Sequence, residues 1–184
     1  MRFQTIALAV AIVFACVLVP ATAVFPRASA HAAAVVHAES ETVQPVSGSG
    51  VHFLTTVVVH SETETATGLI QRRSTETVDL TGDLTGRILY HPTSVIDFST
   101  LTLVNTGHQV FSGTVLGSEP VMLHDDTFRF DVDLRTGTGT GTVHLADRLD
   151  GPKVRCDLTV VSTGMTADRN VAAEYTGECR FKNK

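Results

Sequence analysis

The sequence predicts an all-β domain: an antiparallel up-and-down β-barrel of about eight strands, with a β-sandwich as the alternative. Three observations carry this. No stretch keeps apolar residues at i, i+3, i+4 and i+7 for more than a turn. Apolar and polar residues alternate instead, segment after segment. Turn-forming dipeptides separate the segments at short intervals. A barrel is preferred because closure hides the strand edges of a Thr- and Val-rich chain. The immunoglobulin-type sandwich is disfavoured by the lack of any tryptophan.

The first thirty residues read as a secretory signal peptide. Arg2 precedes an unbroken apolar run from Ile6 to Val19, Pro20 ends it, and cleavage patterns follow at Ala21–Ala23 and Ala28–Ala30. The run is shorter than the roughly 20 residues that span a bilayer, so no transmembrane span is expected after cleavage. A lipid anchor at Cys16 is disfavoured by the bulky Phe14. Residues 31–50 are small and polar without periodicity, which predicts a flexible N-terminal arm. Residues 51–184 then form a single barrel domain, and the expected location is secreted or extracytoplasmic. Losing Arg2 and Arg27 with the leader leaves 12 bases against 19 acids, a net charge of about −7. An acidic chain without a basic stripe is a poor partner for nucleic acid.

Strands are predicted at Val51–Ser61, Ser74–Leu80, Gly86–Tyr90, Val95–Asn105, His108–Leu116 and Val121–Leu123. Turns are placed at Gly82, at Asn105–Gly107, at Gly117–Pro120 and at Asp150–Pro152. The clearest alternation is "TFRFDVDL", with Phe128, Phe130, Val132 and Leu134 on one face. In "RTGTGTGTVHL", pairing Phe130 with Leu145 and Val132 with Val143 puts Gly137-Thr138 at a two-residue hairpin tip. Gly139 and Gly141 then face inward, where missing side chains permit bending or leave space. A phosphate loop is excluded, because no Lys follows the glycines.

At the C-terminus, Lys153–Thr163 and Val171–Lys182 form the last hairpin. Setting Cys156 opposite Cys179 pairs Leu158 with Gly177 and Val160 with Tyr175, keeping both apolar faces in phase. With Cys16 removed, these two cysteines most simply make one disulfide in an exported domain, two buried thiols being the alternative.

The segments "TGDLTG" (Thr81–Gly86) and "VFSGTVLG" (Val110–Gly117) resemble the allene oxide cyclase-like and dirigent-like group of calycin-type barrels. The resemblance implies an interior that takes up apolar small molecules, and in some members steers their cyclisation or coupling. No active-site motif of that group matches this chain.

Candidate chemistry is otherwise sparse. His52, His60, His91, His108, His124 and His144 are scattered without zinc-type spacing, so no metal and no cofactor is expected. The densest set, His124–Asp126, reads as a solvated loop beside a turn. Asp131, Asp133, Glu174 and Glu178 fall on outward faces, away from any cleft that would tune a carboxylate pair. No nucleophile elbow is present. Tyr175 shares the apolar phase and reads as a core tyrosine with a satisfied hydroxyl.

The leading functional expectation is an apolar small molecule held inside the barrel. Its pocket residues are Phe53, Phe111, Phe128 and Phe130, with Leu145, Leu158 and Tyr175, and with Gly139 and Gly141 as the gap in the wall. A cyclase or isomerase acting in the same interior is the second reading, which needs an ionisable group inside the cavity. A ligand-free module that binds a partner or forms a homo-oligomer is the third.

Overall fold

The computed structural model describes residues 40–182, and ten strands account for most of them. In chain order they are β1 (Glu41–His52), β2 (Val58–Glu64), β3 (Ile70–Gly82), β4 (Leu84–Asp97), β5 (Thr102–Val115), β6 (Val121–Asp133), β7 (Thr138–Leu145), β8 (Asp147–Asp150), β9 (Val154–Met165) and β10 (Val171–Lys182). Every pairing is antiparallel. Neighbours run β1-β10-β9-β7-β6-β5-β4-β3, and β1 also pairs with β3, closing an eight-strand barrel with β2 and β8 as additions. Closure leaves the barrel wall without a free edge, as expected for so β-prone a chain.

The two added strands complete wall positions that others leave short. β3 pairs with β1 along Val78–Gly82 and with β2 along Ile70–Thr75, the chain turning between them through a 3-10 turn at Leu54–Thr56. β8 continues beyond β7 against Met122–His124 of β6. Between these stretches Asp125 takes over the pairing: its Oδ2 accepts from the His144 amide at 2.8 Å and from Gln109 Nε2 at 2.7 Å. Its Oδ1 accepts from the Thr127 amide at 2.7 Å. The β5–β6 register shifts at this point, between Gly107 and Gln109.

The two ends of the barrel differ. At one end Phe111, Leu84, Leu123, Leu145 and Val115 are fully buried beside the Cys156–Cys179 disulfide, so the interior is solid. The cysteines face each other across β9 and β10, with Leu158 opposite Gly177 and Val160 opposite Tyr175, the register the apolar phases require. The "TGDLTG" and "VFSGTVLG" segments build this end. Gly86 pairs with Gly113, and a Cβ on either would strike the opposite backbone, so the glycines set how closely β4 and β5 approach. Tyr175 reaches across the same end. Its hydroxyl accepts from the Leu84 amide at 2.7 Å and lies 3.2 Å from the carbonyls of Thr81 and Leu84.

Several sequence expectations are corrected. The expected arm of residues 31–50 is β-strand from Glu41 onward, pairing with all of β10; its Val46 and Gly50 are buried on the inner face. Small residues obscured the alternation there. The leader and residues 31–39 lie outside the described residues. Val51–Ser61 is two strands rather than one. Val95–Asn105 also spans a turn, made by Asp97 Oδ1 accepting from the amides of Ser99 at 2.8 Å and Thr100 at 3.3 Å. Asn105–Gly107, expected as a turn, lies inside β5. His124–Asp126 is no solvated loop: it belongs to β6, with Asp125 buried.

The β6–β7 hairpin keeps its phase but not its register. Phe130 pairs with Gly141 and Val132 with Gly139, and the turn is Leu134–Gly137, closed by the Gly137 amide on the Asp133 carbonyl at 2.8 Å. An even slip keeps every side chain on its face, so phase alone could not exclude it. The slip has a packing reason. A Cβ on Gly139 or Gly141 would collide with the Phe130 ring, so the two glycines form its seat.

A candidate functional site in the barrel interior

Opposite the solid end the barrel is hollow. The cavity measures about 350 Å³, near the lower end of the roughly 300–1,000 Å³ usual for small-molecule sites. It lies where β1 and β3 meet the later halves of β4, β6 and β9 and the first half of β10. Its walls are predominantly apolar, with Val78, Leu80, Ile88, Val143, Leu158 and Val160 from four strands. Phe128 and Phe130 contribute the aromatic surface. At the rim stand Leu54 and Val57 from the segment around the 3-10 turn. The strand directions bring the exposed Phe98 of the β4–β5 turn and Met165 at the end of β9 to this same end.

Polar residues interrupt the apolar wall, with Arg72, Gln109, Arg129, Ser162 and Glu174 among the lining and a buried cluster around Glu76. Glu76 projects inward from β3 and is buried. Its Oε1 accepts from Ser74 Oγ at 2.5 Å, and its Oε2 accepts from the Tyr90 hydroxyl at 2.7 Å and from His52 Nε2 at 2.8 Å. The Tyr90 ring packs edge-on against Phe128, with centroids 5.8 Å apart, and against His52 at 5.7 Å. Ser94 and Asn105 line the same cavity, and Asn105 Oδ1 is buried without a hydrogen-bond partner.

The electrostatics follow from this geometry. Burial alone raises the Glu76 carboxyl, but the hydrogen bonds from His52, Ser74 and Tyr90, with the nearby His52 ring, outweigh it and hold it at about 2. Burial, then the Glu76 charge and hydrogen bond, push the Tyr90 hydroxyl well above the ordinary tyrosine value. Glu76 is therefore an anion and Tyr90 a neutral donor across the physiological range. Because His52 gives its Nε2 proton to Glu76, the remaining ring nitrogen, Nδ1, is the one left for other chemistry. Nδ1 has no hydrogen-bond partner among the described residues. An imidazole oriented by a carboxylate can recognise one hydrogen-bonding head group, or move a proton to and from it.

The predicted pocket residues divide between the two ends. Phe128, Phe130, Leu158 and Tyr175 line the cavity. Phe111 and Leu145 lie in the solid end instead, with no exposed surface. Phe53 sits beside the rim, its amide bonded to the Thr77 carbonyl at 3.1 Å. Gly139 and Gly141 lie beneath the Phe130 ring, so the gap they leave is occupied. Tyr175 spends its hydroxyl on the β3–β4 connection, which leaves its ring as the lining surface.

His52, Glu76 and Tyr90 did not emerge from motif searching. A signal was present, however: Ser74 and Glu76 share the phase of Val78 and Leu80, and Tyr90 that of Leu84 and Ile88. A carboxylate on an apolar phase is the mark of a buried, partnered acid.

Among the described residues, no three His, Cys, Asp or Glu side chains form a ready metal-ligand set, and no helix is long and apolar enough to cross a membrane. Comparison of the chain with family models, with curated proteins and with solved structures finds no match.

Proposed function

We propose that this chain is an exported barrel that holds a small, mostly apolar molecule in its interior, with one polar group of the ligand set against His52. The observation that carries the reading is the cavity itself: a hollow of about 350 Å³ walled mostly by aliphatic and aromatic side chains, with the Glu76–His52–Tyr90 cluster among its polar groups. Burying about 200 Å² of ligand carbon would contribute about 5 kcal/mol, and a hydrogen bond to His52 Nδ1 would fix orientation. Export is supported by the Cys156–Cys179 disulfide, a bond that persists in oxidising compartments. The resemblance of Thr81–Gly86 and Val110–Gly117 to allene oxide cyclase-like and dirigent-like barrels points the same way.

A second reading, an isomerase or cyclase acting on a hydrophobic substrate in the same interior, is favoured by one observation. The ionisable group it requires is there, since Glu76 fixes the His52 ring in the cavity wall.

Native mass spectrometry of protein purified from its own host tests the proposal. Expected is a retained small molecule on the wild type that is lost from Ala173→Phe, which places a ring in the cavity. Wild-type protein that is bare, or that carries the same adduct as the filled variant, would overturn it.

A further inference from the structure

Four buried polar side chains stand in a row across the inner wall, one from each of four adjacent strands. Glu76 on β3 is opposite Tyr90 on β4, Tyr90 is opposite Gln109 on β5, and Gln109 is opposite Asp125 on β6. None of the four exceeds 8% exposure. Carboxyl groups end the row, and the two residues between them spend their hydrogens on those ends. The Tyr90 hydroxyl donates to Glu76 Oε2 at 2.7 Å, and Gln109 Nε2 donates to Asp125 Oδ2 at 2.7 Å. The Gln109 amide cannot be turned the other way. Both Asp125 oxygens are acceptors, from the amides of His144 at 2.8 Å and Thr127 at 2.7 Å, so the group facing them must be the donor. His52 gives its Nε2 hydrogen to Glu76 in the same manner.

What remains for the cavity are acceptors, His52 Nδ1 and Gln109 Oε1. Gln109 lines the cavity, and its Oε1 has no hydrogen-bond partner among the described residues. It is also not sealed in the wall, as Asn105 Oδ1 is. The surrounding charge offers no counterweight. The lining cations Arg72 and Arg129 are each held by a carboxylate, Arg72 by Glu62 at 2.7 Å and Arg129 by Asp131 at 2.6 Å, and Glu174 adds a further acid.

We propose that the occupant of the cavity is a neutral alcohol, an apolar molecule whose hydroxyl donates to Gln109 Oε1, and that the carboxylate of the same skeleton is rejected. The inference rests on the reading that the interior holds a small apolar molecule, and it names the head group. A hydroxyl supplies the hydrogen that the row lacks. A carboxylate has none to give, and it would be buried against acceptors and the Glu76 charge. An ammonium would lose its hydration to a wall whose anion is already met by three donors, a cost that a neutral hydroxyl avoids.

The test is calorimetric titration of n-decanol, decyl methyl ether and decanoate into the full chain at pH 7. The ether keeps the chain and the oxygen but lacks the hydrogen. Expected is decanol bound tightest, with the ether at least about fivefold weaker and decanoate at least about tenfold weaker. In Gln109→Met, which removes Oε1 at nearly constant length, the preference for decanol over the ether should vanish while the ether still binds. Circular dichroism checks the fold of that variant, in which Asp125 loses one donor. Glu76→Gln is the second variant: it keeps Gln109, and it should narrow the gap between decanol and decanoate. Equal affinity of decanol and ether, decanoate as tight as decanol, a decanol preference that survives in Gln109→Met, or an unchanged gap in Glu76→Gln overturns the head-group assignment and leaves the apolar cavity standing. If none of the three probes binds, the ligand-holding interior and its head group are overturned together.

Discussion

Replacing Glu76 by Gln removes one negative charge from the cavity wall while keeping the side chain's shape. In the folded protein the Glu76 carboxyl is held at about 2, against 4.5 for an ordinary glutamate. At about 1.36 kcal/mol per pH unit, that difference makes the ionised carboxylate worth roughly 3 kcal/mol to folding. The folded-state value is the lower one, so the stabilisation is complete above about pH 4.5 and is lost as pH falls toward about 2. Urea denaturation of wild type and Glu76→Gln across pH 2–7 reads this directly. The wild type should exceed the variant by about 3 kcal/mol at neutral pH, by about 1 kcal/mol near pH 3, and by well under 1 kcal/mol at pH 2. Acidic surface groups such as Asp79 and Asp97 titrate in both proteins and cancel in the difference. Parallel pH profiles would refute the reasoning, because they would mean that the hydrogen bonds from Ser74, Tyr90 and His52 do not favour the anion.

Three further outcomes follow from the packing. Cys156→Ala with Cys179→Ala removes a cross-link spanning 23 positions and should cost about 3 kcal/mol through the unfolded chain's regained entropy; equal denaturation midpoints under oxidising conditions would contradict this. Tyr175→Phe strips the Leu84 amide of its acceptor, so the melting temperature should fall by an amount equivalent to about 1–3 kcal/mol; an unchanged melt would show the hydroxyl to be idle. Gly139→Ala drives a methyl into the Phe130 ring, costing about 1–3 kcal/mol and displacing the ring toward the cavity. Binding of an apolar fluorescent probe should weaken in that variant, and unaltered stability with unaltered binding would contradict the seat described for Phe130.

What the sequence made legible was periodicity, and what it hid was wherever periodicity is silent. The β9–β10 register was readable from the disulfide as far as Ser162 opposite Ala173, because Cys156, Leu158 and Val160 leave one apolar phase to satisfy, but the bulge between Ala172 and Ala173 was not. The β6–β7 register was not, since a slip of an even number of residues preserves phase and only the volume of the Phe130 ring over Gly139 and Gly141 decides between the alternatives. β1 was hidden because "SGSG" has little side chain to alternate, although its backbone pairs fully with β10 and closes the barrel through β3. The site divided the same way. Phe128, Phe130 and Leu158 follow from phase, but phase cannot tell the hollow end of a barrel from the solid one, which is why Phe111 and Leu145 were grouped with them. Glu76 sits on the apolar phase of its strand, but nothing in either segment alone ties it to His52; what joins them is the β1–β3 contact that closes the barrel.

The central claim is that the interior between Phe128, Phe130, Val143 and Val160 is hollow and apolar enough to take up a small nonpolar molecule. A crystal pressurised with xenon tests it most directly, because dry apolar cavities bind the gas without any polar contact. Xenon is predicted in the cavity, in contact with these four side chains and clear of the Glu76–His52 wall. An interior closed by side chains, or filled by ordered water with no xenon, would contradict the account.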